Sequence, residues 1–159
     1  MSPDPKTESF MALAIAQAKA AAQRGEVPVG AVLIHQRRVI ACAGNRTLEL
    51  HDPTAHAEIL VIREACQQAN SQRLPDFDLY VTLEPCTMCA AAISFARIRR
   101  LYIAAEDAKA GAVLNGARFY DQPNCHHAPE IYSGIGESEA SRLLKSFFQK
   151  RRNVPPDCL

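Results

Sequence analysis

Four residues have types and spacings that can do chemistry. His56 and Glu58 lie in the run Thr54-Ala55-His56-Ala57-Glu58. Cys86 and Cys89 lie in Leu83-Glu84-Pro85-Cys86-Thr87-Met88-Cys89. Zinc takes imidazole nitrogen and thiolate sulfur, and a catalytic zinc keeps a fourth coordination position open for water. One His and two Cys supply three ligands and leave that opening. The two-residue gap lets both sulfurs project from the first turn of one helix, where the amides and the helix dipole favour thiolates. Glu58, two residues past a ligand, is poorly placed to reach the same metal and well placed to hydrogen-bond water there. Zinc lowers the pKa of bound water from about 15.7 toward about 7. Glu58 would take the proton from that water, pass it to a substrate nitrogen and later protonate the leaving group. Taken singly, the parts say less. A Cys-x-x-Cys pair is also a redox motif, and a single His in a helix is more often an ordinary hydrogen-bonded side chain. The conjunction of all four residues is what favours the metal.

These residues need a frame. From Thr7 to Arg24, Phe10, Met11, Leu13, Ala14, Ile15 and Ala18 recur at helical spacing, with Thr7 as candidate N-cap and Gly25 as stop. Pro28 to His35 reads as a buried strand, Gln36-Arg37 as a polar turn and Val39 to Ala43 as the returning strand of a hairpin. Gly44 to Thr54 reads as loop and His56 to Ala69 as a second helix. Asp78 to Leu83 reads as a third strand. Pro85 opens a helix from about Cys86 to Ala96, since proline is tolerated in a first turn. Arg100 to Ala104 is a fourth strand, 106–130 is irregular with one helical turn, and Glu137 to Arg152 is a last helix. That order predicts an α/β fold, a three-layer α/β/α sandwich around a mixed sheet.

The 159 residues suit one domain, 1–159, with one core. Hydrophobic residues at 48% and charged residues at 22% fit a soluble globular protein. No segment approaches the roughly 20 apolar residues of a membrane span. Met1 to Glu8 is polar and does not read as a signal peptide, which places the protein in the cytoplasm. Cys42, Cys66, Cys86, Cys89, Cys125 and Cys158 contain only one close pair, so free thiols or ligands are expected rather than disulfides. A formal net charge of +1 excludes a strongly basic, salt-driven polyanion binder but leaves room for a local basic patch.

His-x-Glu, with Pro-Cys-x-x-Cys about thirty residues on, is the signature of zinc deaminases. Beyond it, the chain resembles the bacterial tRNA-specific adenosine deaminases over nearly its whole length. The resemblance rests on Glu26-Val27-Pro28-Val29-Gly30-Ala31-Val32, Gly44-Asn45-Arg46, Asp52 to Glu58, Tyr80 to Cys89, and Asp107-Ala108-Lys109-Ala110-Gly111-Ala112. It implies a cytidine-deaminase-like fold with five strands in the mixed sheet, one more than the segments above place. It also implies one zinc ion per chain, a homodimer, and conversion of the wobble adenosine to inosine in an arginine tRNA anticodon. In that chemistry hydroxide attacks the carbon bearing the amino group and ammonia leaves. By the same resemblance, Asn45 hydrogen-bonds the flipped-out base and Asp107 contacts the preceding nucleotide. Val29 and Ala57 line the base pocket, with the Ala57 amide facing the substrate. Glu106 departs from the basic or neutral residue often found there, and is assigned no binding role.

An exposed loop base is cheap to unstack, which suits chemistry on an anticodon. Lys145, Lys150, Arg151 and Arg152 surround Phe147 and Phe148 at the end of the last helix. Aromatics among basic residues can stack bases and hold phosphates, and Phe148 is the candidate RNA contact. The competing expectation is that these rings pack the helix onto the core. Arg97, Arg99 and Arg100 read as a solvated or subunit-facing surface, and Tyr80 and Tyr102 as core. Cys125-His126-His127 could ligate a second metal, but such loop clusters more often pack or hydrogen-bond. The alternative enzyme is a free-base or nucleoside deaminase of guanine or cytosine type. A non-catalytic zinc or redox module is the alternative from another class, and Glu58 argues against it.

Overall fold

The hairpin seeds the sheet. In the computed structural model, which describes residues 4–153, β1 (Gly30–His35) and β2 (Arg38–Gly44) pair antiparallel around Gln36 and Arg37. Both turn residues have positive φ, 49° and 64°, the backbone twist that a two-residue hairpin requires. Cys158 lies outside the described residues; the other five cysteines are free thiols.

The first helix, α1 (Pro5–Gln23), starts earlier than the apolar pattern suggests. Its N-cap is Asp4, which accepts from the Lys6 amide at 3.0 Å, and Pro5 occupies the first helical residue. Thr7, the predicted cap, lies inside the helix; proline at this point is the start signal that overrides it. Arg24 caps the far end and Gly25 follows at φ 83°, as the stop requires. The helix lies directly on the hairpin, because Gly30 and Gly44 face each other in the β1–β2 register. A Cβ on Gly30 would overlap the Ala14 carbonyl, and one on Gly44 would sit 2.6 Å from the Gln17 carbonyl.

The remaining elements are α2 (Ala57–Ala69), β3 (Phe77–Leu83), α3 (Thr87–Phe95), β4 (Arg100–Ala105), a single 3-10 turn (Phe119–Asp121), β5 (Glu130–Ser133) and α4 (Glu137–Arg152). The sheet order is β2-β1-β3-β4-β5. β1 is antiparallel to β2 and β3, while β3, β4 and β5 run parallel. β5 falls where the sequence reads mostly as irregular chain. Four residues long, with Ile131 only half-buried and its neighbours exposed, it has no alternating pattern to find.

Two apolar layers sandwich the sheet. Leu33, Leu79, Val81, Leu101 and Ile103 pack against Val61 of α2 and Ile93 of α3. Val32, Ile34, Tyr80 and Ala104 pack against Met11 and Ile15 of α1 and Ala140 of α4. This is the expected three-layer α/β/α arrangement. Tyr80, Tyr102 and Tyr132 are register partners on adjacent strands and stack at 4.3 and 5.0 Å. Tyr80 is buried and Tyr102 half-buried, so both serve packing. Arg99 is spent on a two-pronged pairing with Asp78 at 3.0 and 2.9 Å, and Arg100 on Glu130 at 3.2 Å.

Candidate active site

Parallel strands place ligand sites at their carboxyl ends, and here two helices begin near one such end. Cys86 is the N-cap of α3, three residues beyond Leu83 of β3, and His56 is the N-cap of α2. Neither side chain caps its own helix, so both are free to turn inward. Cys89 lies three residues into the first turn of α3. Pro85 precedes the cap rather than opening the helix, so α3 begins one residue later than the sequence suggests.

One ligand atom from each of His56, Cys86 and Cys89 lies within 4.8 Å of the others, the one such cluster among the described residues. The Cys86 and Cys89 sulfurs lie 3.7 and 3.5 Å from His56 Nδ1. A tetrahedral zinc, about 2.3 Å from sulfur and about 2.0 Å from nitrogen, sets those atoms about 3.5 Å apart. The residues therefore fit the metal in donor chemistry and in spacing. A hydrogen bond from Cys89 brings Cys86 down to about 4. The same pairing, together with burial, pushes Cys89 up. The Cys86 hydrogen bond raises His56 against an opposing effect of burial. The two sulfurs are thus unequal, with Cys86 the more readily ionised.

Glu58, in the first turn of α2, is 3% exposed. Burial pushes its carboxyl up to about 7. Its Oε2 is buried with no hydrogen-bond partner. A buried carboxylate oxygen left without a partner is costly, and one beside a metal-ligand triad is a natural acceptor for a proton on bound water.

Asn45 (9% exposed) is fixed by its main chain. Its N–H donates to the Val29 carbonyl at 3.1 Å, and its carbonyl accepts from Arg24 at 3.2 Å. Its side-chain Oδ1 accepts from the Ala57 amide at 2.9 Å. The Ala57 amide, expected to face the substrate, is thus spent on Asn45. Because an amide N–H needs an oxygen partner, the assignment of Oδ1 is forced and Nδ2 remains a donor. Val29 and Ala57 are buried at 5% and 0%. Asp107 is half-buried and its Oδ1 accepts from the Lys109 and Ala110 amides, both at 3.0 Å. Phe148 is 42% exposed, and Arg151 lies over the half-buried Phe147 ring at 5.0 Å. The Cys125–His127 cluster is hydrogen-bonded instead of gathered for a metal: Ser94 donates to the His127 carbonyl at 2.6 Å, and His127 Nε2 meets the Ile98 carbonyl at 2.7 Å.

Two buried acids escape a sequence reading. Glu26, 1% exposed, accepts from the Leu48 and Glu49 amides at 3.0 and 2.9 Å. Glu84, 3% exposed, accepts from the Asp107, Val113, Leu114 and Asn115 amides and from the Asn115 side chain. Burial opposes its charge, yet the Asn115 side chain and these amides outweigh that and hold the carboxyl below its usual range. Both acids lie in runs that carry the family resemblance, but their residue type gives no sign of burial.

A family model for the cytidine and deoxycytidylate deaminase zinc-binding region matches residues 4–105. The tRNA-specific adenosine deaminase of Agrobacterium fabrum is 63% identical over 143 residues, 90% of this chain and 94% of that protein. A solved structure from work on A-to-I editing by tRNA:A34 deaminases at the wobble position of transfer RNA is 64% identical, with a TM-score of 0.85. That match covers 86% of this chain and 99% of the other. Guanine deaminase from Bacillus subtilis is 32% identical with a TM-score of 0.62, covering 94% and 95%. The chain belongs to the zinc-binding cytidine and deoxycytidylate deaminase family, and within it to the tRNA-specific adenosine deaminases.

Proposed function

We propose that the protein hydrolyses the wobble adenosine of a tRNA anticodon, in an arginine tRNA, to inosine and ammonia. The unpartnered Oε2 of Glu58 beside His56, Cys86 and Cys89 is the observation that carries hydrolytic deamination, and the 63% identity to a tRNA-specific adenosine deaminase supports the tRNA substrate. The triad would hold one zinc ion per chain. Bound there, zinc supplies a water acidic enough to act as a nucleophile at neutral pH. Glu58 would take a proton from water and deliver it to the ring nitrogen next to the amino-bearing carbon, then carry the proton of the hydroxyl formed on that carbon to the departing amine. Asn45 Nδ2 is a donor suited to a purine ring nitrogen, and Val29 and Ala57 give the base an apolar wall. Asp107 borders the nucleotide before the target. Phe148, with Lys145, Lys150, Arg151 and Arg152, offers a ring amid positive charge for the RNA.

The protein acts as a cytoplasmic homodimer in this reading. Met88, Ala91, Ala92 and Phe95 recur along α3 at one face; Phe95 is 71% exposed, and the other three are half-buried. An apolar ridge of this kind suits a second copy.

The deciding experiment incubates the zinc-loaded protein with an arginine tRNA anticodon stem-loop carrying adenosine at the wobble position, and sequences the product, where inosine reads as guanosine. Free adenosine, cytidine and guanine are run in parallel. Conversion of the stem-loop alone is expected. Turnover of a free base alone would move the protein to the small-molecule branch, where its likeness to a guanine deaminase points.

A further inference from the structure

β3 and β4 run parallel and end side by side, at Leu83 and Ala105. Cys86 follows the first, and the 106–118 loop follows the second. The Glu84 amide donates to the Ala105 carbonyl at 2.8 Å, and the Ala112 amide to the Pro85 carbonyl at 2.9 Å. The loop thus stands beside the start of α3, with Glu84 at its centre. Oε1 accepts from the Asp107 amide at 3.2 Å and from Asn115 Nδ2 at 2.7 Å. Oε2 accepts from the Val113, Leu114 and Asn115 amides at 3.2, 3.1 and 3.1 Å. Five donors on one side chain require an ionised carboxylate, which accepts at both oxygens and donates at neither. Gly111 completes the wrap, since a Cβ there would overlap Glu84 Oε2 and the Asp107 carbonyl.

We propose that Glu84 is a positioning residue: its buried carboxylate locks the Asp107–Asn115 loop to the turn that carries Cys86, and so governs productive binding of the RNA rather than the chemical step. This rests on the RNA reading above. All five hydrogen bonds to the Glu84 carboxylate come from 107–115 and none from His56, Cys86 or Cys89; it acts through the loop. Both ends of the wrap matter, because Asp107 at one end is the residue proposed to border the preceding nucleotide. At the other end, Val113 is buried in the core below the site.

Glu84→Gln is the discriminating variant. It keeps the shape but must present an NH2 group to one set of donors. Oε2 serves three amides, so the NH2 falls on the Oε1 side and releases Asp107 and Asn115. Zinc content, amide hydrogen exchange and steady-state kinetics on the stem-loop are read together. The expected result is wild-type zinc content, faster exchange at Asp107, a KM raised about tenfold, and a kcat within about threefold of wild type. Asn115→Ala removes the 2.7 Å contact to Glu84 and a weaker 3.5 Å one to Glu106, leaves the Asp107 amide on Glu84, and should move KM the same way by a smaller factor, about threefold. A fall in kcat with unchanged KM in both variants, or no change in exchange at Asp107, overturns the proposal. Loss of zinc in both variants overturns it too, since Glu84 would then merely support the metal helix. A wild type that leaves the stem-loop unconverted overturns the RNA reading instead, and the anchoring is then decided by amide exchange.

Discussion

Replacing Asn45 with Asp separates the two halves of one side chain. Oδ1 holds the Ala57 amide at 2.9 Å, and Nδ2 is the half proposed to meet the base. A carboxylate still accepts from Ala57 through either oxygen, so the fold is retained. It cannot donate, and it sets a charged acceptor against the acceptor on the base. A buried hydrogen bond lost to mismatch involving a charged group costs about 1.5–3 kcal/mol, which is about 10- to 150-fold in kcat/KM. Asn45→Ala loses both halves. It strands the Ala57 N–H at a residue that is 0% exposed, which should lower stability by about 1–3 kcal/mol as well. The assay is kcat/KM on the stem-loop with zinc content and a urea denaturation curve for each variant. Asn45→Asp is expected to keep the zinc and a folded chain, at some cost in stability from its unpartnered second oxygen, while losing activity. Activity within about twofold of wild type would refute the reasoning, because Nδ2 would then contribute nothing in the transition state.

Glu58→Gln should keep the metal and lose activity by about a hundredfold or more, since a Gln cannot carry the proton; zinc analysis and single-turnover kinetics check this. Cys86→Ala should lose zinc, and full metal occupancy in that variant would show that the ligand set is wrong. Phe95→Glu should convert the proposed dimer to monomer in size-exclusion chromatography with light scattering, because it sets a charge at the most exposed end of the apolar ridge. Replacing Lys150, Arg151 and Arg152 together by Ala should weaken stem-loop binding and flatten the dependence of log K on log salt by about 2, with turnover at saturating RNA preserved.

The gathering of His56, Cys86 and Cys89, and the order of helices and strands up to β4, were legible because each rests on residue type and local period. α4 has the bounds its apolar spacing implies, Glu137 to Arg152. Legibility failed where a partner distant in sequence decides the outcome. Nothing local marks Glu130–Ser133 as a strand, since it is made by the edge of β4 alone. Thr7 reads as a cap because its hydroxyl suits the role, but Asp4 and Pro5 sit one turn earlier and take it. The Ala57 amide looks free until Asn45, twelve residues earlier, folds over it. Glu26 and Glu84 look like surface charges that ought to avoid burial. Only the converging amides of Leu48 and Glu49 on one, and of Asp107, Val113, Leu114 and Asn115 on the other, make them permissible.

The last helix is joined to the rest by little. Ala140 is its one buried residue among the described ones, helped by half-buried Leu143 and Leu144 and the surface pair Lys19–Glu139 at 2.7 Å. Its outer turns therefore lie under almost no packing constraint, and substitutions there cost the fold almost nothing. The residues proposed to move protons and those proposed to meet the RNA are thus exposed to selection separately. One buried frame can keep its chemistry fixed while its outermost helix drifts toward a different polymer, or toward none.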